Sequence, residues 1–330
     1  MKHSVFVTRA IPGSGIQMVR EKFEVDVWDN KFPPDRDEIA SRARNCTGLI
    51  SLLSDPIDAA LMDELPNLKI VSQYAVGYDN IDVQAATERG IMVTNTPGVL
   101  TDTTADLAWA LIMATARRLV EADSYVRGGN WKVAWGPSLL TGQDIHGKTL
   151  GIIGLGRIGS AVARRAKGFD MEILYHTRSR NHYTDEVDDE LGGRSVPLGH
   201  LLSESDIISM HVPLNEQTEG MIGKDELFSM KKSAILINTS RGAVVDEESL
   251  IWALQNGEIW GAGLDVFEEE PTQEDNPLLS LNNVVVAPHI GSASIDTRSK
   301  MGIICAENLV AGLKGDKPPN LVNREVIDND

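Results

Sequence analysis

The stretch Leu281–Ser294 reads LNNVVVAPHIGSAS, with four apolar residues, Val284 to Ala287, running into Pro288 and His289. The run has the composition of a strand buried on both faces, and a proline is where such a strand stops. A histidine there is, on residue type alone, a polar strand terminator. Two other strand-like runs also end in reactive groups. ILINTSRG places Arg241 after the run Ala234–Asn238. GAGLDVFEEEP places Asp265 at the end of the run Gly261–Val266, with Glu268, Glu269 and Glu270 behind it. Parallel strands of one sheet deliver such groups to the same edge. A guanidinium grips a carboxylate through two parallel hydrogen bonds. An imidazole exchanges protons near neutral pH, and a carboxylate beside it orients the ring and favours its charged form. The three together suit one task. Arg241 orients a 2-oxo acid by its carboxylate, His289 protonates the C2 oxygen as hydride arrives, and one of the acids holds His289. A positioned general acid contributes roughly 10²–10⁴-fold in rate. Taken singly, Arg241 is a surface ion pair and the three acids before Pro271 are a solvated turn.

Hydride chemistry needs a nicotinamide. TLGIIGLGRIGSAVARRAKGF contains Gly154, Gly156 and Gly159 in G-x-G-x-x-G spacing. The motif alone is weak, but an apolar strand precedes it and a helix rich in small residues follows. Gly154 allows the tight turn, Gly156 lets the backbone approach a pyrophosphate, and Gly159 lets helix and strand pack closely. The free N–H groups of the helix start then face the phosphates, with Arg157 and Ile158 inside the turn. An NAD site carries an acid at the end of the second strand. Here that end reads Tyr175-His176-Thr177-Arg178-Ser179-Arg180, with no acid. Arg178 and Arg180 attract a 2′-phosphate, and Thr177 or Ser179 donates a hydrogen bond to it. NADPH is therefore the preferred cofactor, with NADH possible; the alternative is an ordinary basic loop.

Strand-like and helix-like runs alternate along the chain. The spacing predicts strands at Ser4–Thr8, Glu24–Trp28, Gly48–Leu53, Leu68–Ser72 and Ile91–Thr94, with helices between. One helix is expected over Thr101–Leu119, capped by Thr101 or Asp102. Arg127–Gly147 lacks periodicity and reads as an arm, with Trp131 and Trp135 packing on something. A second series follows, with strands at Thr149–Ile153, Glu172–Tyr175, Ile207–His211, Ala234–Asn238, Gly261–Val266 and Val284–Ala287, and helices at Ile158–Gly168, Lys224–Met230, Glu247–Asn256 and Thr297–Lys314. The class is α/β with parallel sheets wrapped by helices.

At 330 residues, 42% of them hydrophobic, the chain has material for two cores. A net charge of −17 repels phosphate backbones and anionic lipid, so nucleic acid and membrane are not expected partners. Cys46 and Cys305 form no C-x-x-C pair, so neither a disulfide framework nor a metal site is expected. MKHSVFVTRA lacks a signal-peptide core, and a cytoplasmic setting fits.

INTSRG, GLDVFEEEP and PHIGSA, in that order after GLGRIG, resemble the D-2-hydroxyacid dehydrogenase family, above all its glyoxylate/hydroxypyruvate reductase branch. The resemblance runs from FVTRAIP through LLSD, VGYDNID and NTPGVLTDTTAD to ENLVAGLKG, nearly the whole chain. It implies two Rossmann-like, doubly wound parallel-sheet domains, one flavodoxin-like and one dinucleotide-binding, with a cleft that closes between them. The first would comprise 1–99 and 292–330, the second 100–291 with a dimerisation arm at about 120–148. Position by position, it implies that Arg241 binds substrate, that Glu270 is the acid before the proline, and that His289 is the proton donor paired with it. Asp265 and Thr239 should hold the carboxamide end of the nicotinamide. Thr104, Val212, Pro213, Thr218, Ser240 and Gly291 should complete the cofactor site. Val76 and Gly77 should offer backbone N–H groups to the substrate carboxylate, and Leu53 should border its pocket. Trp135 resembles a tryptophan that reaches the neighbouring subunit's active site in a homodimer; a simple arm anchor is the other reading. Gln73 in SQYAVGYD departs from the pattern, with no catalytic consequence expected. His3, His146, His182 and His200 read as surface residues, His176 as a neighbour of the adenine ribose, and His211 as a strand end near the cofactor. The implied reaction is NADPH-dependent reduction of glyoxylate and hydroxypyruvate. Reduction of 2-ketogluconate and oxidation of phosphite share these motifs, and a cofactor-sensing corepressor or scaffold is the alternative of another class.

Overall fold

The computed structural model describes residues 3–328. By internal contacts the chain divides into two compact units, Met1–Leu100 with Ser292–Asp330, and Thr101–Gly291. The first is built on five strands, β1 (Ser4–Val7), β2 (Glu24–Val27), β3 (Gly48–Ser51), β4 (Ile70–Gln73) and β5 (Met92–Thr94). They lie in the order β2-β1-β3-β4-β5, every pairing parallel. This is the flavodoxin-like order. The two central strands β3 and β4 are fully buried. One face of the sheet packs Phe6, Leu49 and Val71 against Ile39, Leu61 and Ala86. The other packs Val5, Ile50 and Ile70 against Met301, Cys305, Leu309 and Leu313 of the helix Ile295–Lys314. Ser294 caps that helix by accepting the Thr297 N–H, and Gly315, at φ 84°, ends it.

The second unit holds seven strands, β6 (Thr149–Ile153), β7 (Glu172–His176), β8 (Arg194–Ser195), β9 (Ile207–Met210), β10 (Ile235–Asn238), β11 (Gly261–Leu264) and β12 (Val284–Val286). Their order is β12-β11-β10-β9-β6-β7-β8, again all parallel. The order reverses between β6 and β9, and ligands of open α/β sheets bind at such a switch point, outside the carboxyl ends of the strands.

Three sequence expectations are corrected. The run Val284–Ala287 is not a strand buried on both faces: β12 is an edge strand, only partly buried, and Val286 is 43% exposed. An unbroken apolar run marks a strand but does not say how many neighbours it has. The helix expected over Thr101–Leu119 stops at Ala116. Gln143 N–H donates to the Ala116 carbonyl, and Gly142 passes so close to Ala116 that a Cβ would overlap it. Arg118 takes a left-handed conformation, φ 51°, and a new helix runs over Leu119–Arg127 with no buried residue. The helices His182–Leu191 and Leu198–Glu204, with β8 between them, fill a stretch in which no element was expected. Among the described residues no helix is long and apolar enough to cross a membrane.

Candidate active site

β6 ends at the glycine turn. Gly154 sits at φ 94°, and a Cβ there would come within 2.6 Å of the His211 carbonyl at the end of β9. Gly159 lies against Gly154, where a Cβ would overlap the Gly154 carbonyl, whereas a Cβ on Gly156 would meet nothing within 4 Å. The turn is thus tight at its first glycine, packed at its third and open at its second. Gly156 is the N-cap of the helix Arg157–Ala166 and makes no side-chain capping bond. Its orphan N–H groups suit an anion. Ile158 is partly buried and Arg157 exposed in that first turn.

β7 ends at His176; Thr177, partly buried, follows it, and then come the exposed Arg178, Ser179 and Arg180. The two arginines differ. Arg180 is held by Asp185 at 2.7 Å and Asp188 at 2.9 Å, and Asp188 also accepts the Tyr175 hydroxyl at 2.7 Å. Arg178 donates to Gln217 Oε1 at 3.0 Å, beside a recess of about 350 Å³ lined with Asn215, Glu216 and Gln217. The loop after β9 supplies Val212 and Pro213. Thr218 Oγ1 donates to the Pro213 carbonyl at 2.6 Å and closes that loop. His211 Nε2 pairs with Ser209 Oγ at 2.8 Å, and burial pushes the ring down to about 3, so it is neutral.

The next three strands, β10 to β12, lead to Arg241, Glu270 and His289. Asn238, the last residue of β10, shapes the turn beyond it: its Oδ1 accepts from the Ser240 N–H and hydroxyl, and its Nδ2 donates to the Arg241 carbonyl at 2.8 Å. Arg241 Nη1 donates to the Ser240 carbonyl at 2.7 Å. Gly242 follows, and a Cβ there would lie inside the Phe267–Glu268 peptide. Only glycine lets the chain that carries Glu270 run against the turn that carries Arg241. Beyond β11, both oxygens of the buried Asp265 accept backbone N–H groups, from Ile290 and from Gly291, each at 2.7 Å. Burial lifts Asp265 above the ordinary carboxylate value, opposed by those N–H groups and by the nearby His289. Thr104 Oγ1 donates to the Gly291 carbonyl at 3.2 Å, so Gly291 is held at both ends. Beyond β12, His289 sits at φ 53° and its Nδ1 meets Glu270 Oε2 at 2.7 Å. Burial by itself raises the Glu270 carboxyl. The His289 hydrogen bond and charge, the Phe267 N–H and the Arg241 charge outweigh it and hold Glu270 below its ordinary value. The arrangement can grip an anion at Arg241 and hand over a proton at His289 Nε2.

In the first unit, Leu53 follows β3, and Val76 and Gly77 follow β4. The Ala75 carbonyl accepts the Thr96 N–H at 2.8 Å, and the Val76 carbonyl accepts Asn95 Nδ2 at 2.8 Å. In a trans peptide the N–H points opposite to the carbonyl. These two bonds therefore aim the N–H groups of Val76 and Gly77 away from Thr96 and Asn95. Trp135 is 76% exposed and Trp131 55%.

The model of the D-isomer specific 2-hydroxyacid dehydrogenase NAD-binding domain matches residues 109–291, more than half of the chain. The chain belongs to the D-isomer specific 2-hydroxyacid dehydrogenase family. Among members of this family, it is 59% identical over 327 residues to a glyoxylate reductase of Korarchaeum cryptofilum, covering 99% of this chain and 98% of that one. To a glyoxylate reductase of Thermococcus litoralis it is 54% identical over 330 residues, covering 99% and 98%. An NADPH-dependent glyoxylate/hydroxypyruvate reductase of Sinorhizobium meliloti, solved in complex with NADP and malonate, is 36% identical with a TM-score of 0.86, covering 99% of this chain and 98% of that one.

As a D-isomer specific 2-hydroxyacid dehydrogenase the chain takes a nicotinamide cofactor, and its residues fit one. The glycine turn is open where a pyrophosphate approaches. Thr239 Oγ1 is buried without a hydrogen-bond partner at the end of β10, which suits a carboxamide. Sequence reading missed Asn238, which builds the Arg241 turn, and the contribution of Asp265 to holding residues 289–291. An asparagine ending an apolar strand one residue before T-S-R is the available signal for the first; the second has none, because it depends on which backbone passes the carboxylate.

Proposed function

We propose that the chain reduces small 2-oxo acids, glyoxylate to glycolate and hydroxypyruvate to D-glycerate, with NADPH preferred over NADH. The observation that carries this is the 2.7 Å His289–Glu270 pair, set on the same sheet edge as Arg241 and the glycine turn. Arg241 grips the substrate carboxylate, and the N–H groups of Val76 and Gly77 add to that grip. Leu53 borders the pocket. A bound nicotinamide supplies the hydride to C2. His289 gives its Nε2 proton to the C2 oxygen, and Glu270, held below its ordinary carboxyl value, fixes the orientation of the ring through Nδ1. Thr239 and Asp265 would hold the carboxamide end of a bound nicotinamide, and Asp265 also sets the backbone that carries His289. Arg178, rather than the doubly paired Arg180, meets the 2′-phosphate, with Thr177 and Ser179 beside it. Glu216 in the same recess opposes that charge, which limits the preference for NADPH. The relatives named glyoxylate reductase and the structure holding NADP and malonate support the reading. The segment 119–139 exposes Leu119, Val120, Val126, Trp131, Val133, Trp135 and Leu139. It acts as a dimerisation arm, with Trp135 reaching the partner's site.

The test is initial rate with glyoxylate and with hydroxypyruvate, each with NADPH and NADH, on the wild type and on Arg178→Ala. Fast NADPH oxidation with both acids is expected, and Arg178→Ala should raise KM for NADPH far more than for NADH. No turnover with either acid would turn attention to phosphite oxidation or to a cofactor-sensing role.

A further inference from the structure

The loops after β3 and β4 are joined by a largely buried chain of side chains that the proposed reaction does not use. Ser51 Oγ lies 2.7 Å from Gln73 Oε1, both residues fully buried. Gln73 Nε2 donates to Asn80 Oδ1 at 2.7 Å and reaches the Gly77 carbonyl at 3.4 Å. Asn80 Nδ2 donates to the Leu52 carbonyl at 3.0 Å and to the Asp55 carbonyl at 2.7 Å. Asp55 Oδ2 accepts the Leu52 N–H at 2.7 Å and the Thr8 hydroxyl at 2.5 Å, and Ser54 Oγ meets Oδ1 at 3.2 Å.

The polarity of this chain is forced. Two carbonyls can only accept, so Asn80 must present its NH₂ group to Leu52 and Asp55 and its oxygen to Gln73. Gln73 must then present its NH₂ to Asn80 and its oxygen to Ser51, whose hydroxyl donates. Leu53 is fixed from both sides, since Leu52 is bound at its N–H and its carbonyl and Asp55 at its carboxylate and its carbonyl. Gly77 is fixed by the same Gln73. We infer that Gln73 and Asn80 are positioning residues that lock the Leu52–Asp55 and Val76–Gly77 loops to each other and so set the substrate pocket's shape. The inference rests on the reading of Leu53, Val76 and Gly77 as substrate contacts. Sequence reading alone assigns Gln73 no consequence.

The test uses Gln73→Met, which keeps length and volume but has no amide, Asn80→Asp, which keeps the acceptor and loses both donors, and the double variant. In the full-length protein with NADPH, each single variant should raise KM for the 2-oxo acid about tenfold, while NADPH affinity changes less than about twofold. The double variant should be little worse than either single one, because both cut one chain. Amide hydrogen exchange should quicken in Leu52–Asp55 and in Val76–Asn80 together. Unchanged KM and exchange in folded Gln73→Met, or faster exchange in one loop only, would overturn the inference. If Gln73→Met does not fold, Ser51→Ala removes a single link and should show the same two-loop signature at smaller size. If the wild type turns over neither acid, the proposed function fails, while the exchange experiment still decides whether the loops are locked together.

Discussion

His289 carries a backbone cost. A non-glycine residue at φ 53° costs on the order of 1–3 kcal/mol and persists only where its surroundings enforce it. They do so from three directions: its N–H donates to the Asp265 carbonyl, the two following N–H groups bind the Asp265 carboxylate, and its ring is tied to Glu270. His289→Gln should therefore fold, bind NADPH normally and lose roughly 10²–10⁴-fold in kcat; turnover near wild type would remove the proton-donor role. His211 makes a different prediction. Its folded-state value of about 3 lies well below the ordinary 6.5. The neutral ring contributes stability that is complete above about pH 6.5 and lost as pH falls toward about 3. Urea melts of His211→Asn should show a flatter loss of stability across that window than the wild type; parallel curves would refute it. At this scale the sequence was legible in the pairing of His289 with Glu270, two residues whose types state their chemistry. It was mute for Asn238, Gln73 and Asn80, because an amide's role is set by which backbone carbonyls surround it.

Strand ends, more than helices, make this site, and the strands are what apolar runs reveal best. The helices that escaped sequence reading have physical reasons for doing so. His182–Leu191 buries only Thr184 and Val187, so it lacks an apolar stripe; its signal is the Asn181–Thr184 capping box. Leu119–Arg127 contains no buried residue, so its apolar residues match no internal core. The edge position of β12 was hidden because strand order is not written in any one strand. The element that carries His289 depends on Asp265 in place of a second neighbour strand. Asp265→Asn keeps one acceptor and turns an NH₂ group toward a backbone N–H, stranding a buried donor at about 1–3 kcal/mol. A fall in Tm together with reduced kcat and faster exchange at Ile290 and Gly291 is expected. An unchanged kcat would show that the carboxylate does not govern the His289 loop.

The whole chain is strongly acidic yet exposes a concentrated apolar segment over 119–139. Exposed apolar area of that kind marks an interaction surface. Sedimentation at micromolar concentration should give twice the mass of one chain; a monomer would remove the arm from the proposed function. The close approach at Gly242 has a consequence for how such a molecule can diversify. With the Phe267–Glu268 peptide occupying the place of a side chain, the turn bearing Arg241 and the segment leading to Glu270 are one piece. An insertion in either would displace both, so, with the roles proposed above, descendants cannot retune acid recognition and proton delivery independently. On the proposed reading, new substrates would be accommodated at Leu53, Val76 and Gly77, residues that this close approach does not touch. Evolution then inherits a fixed reaction and a variable appetite, written on separate stretches of chain.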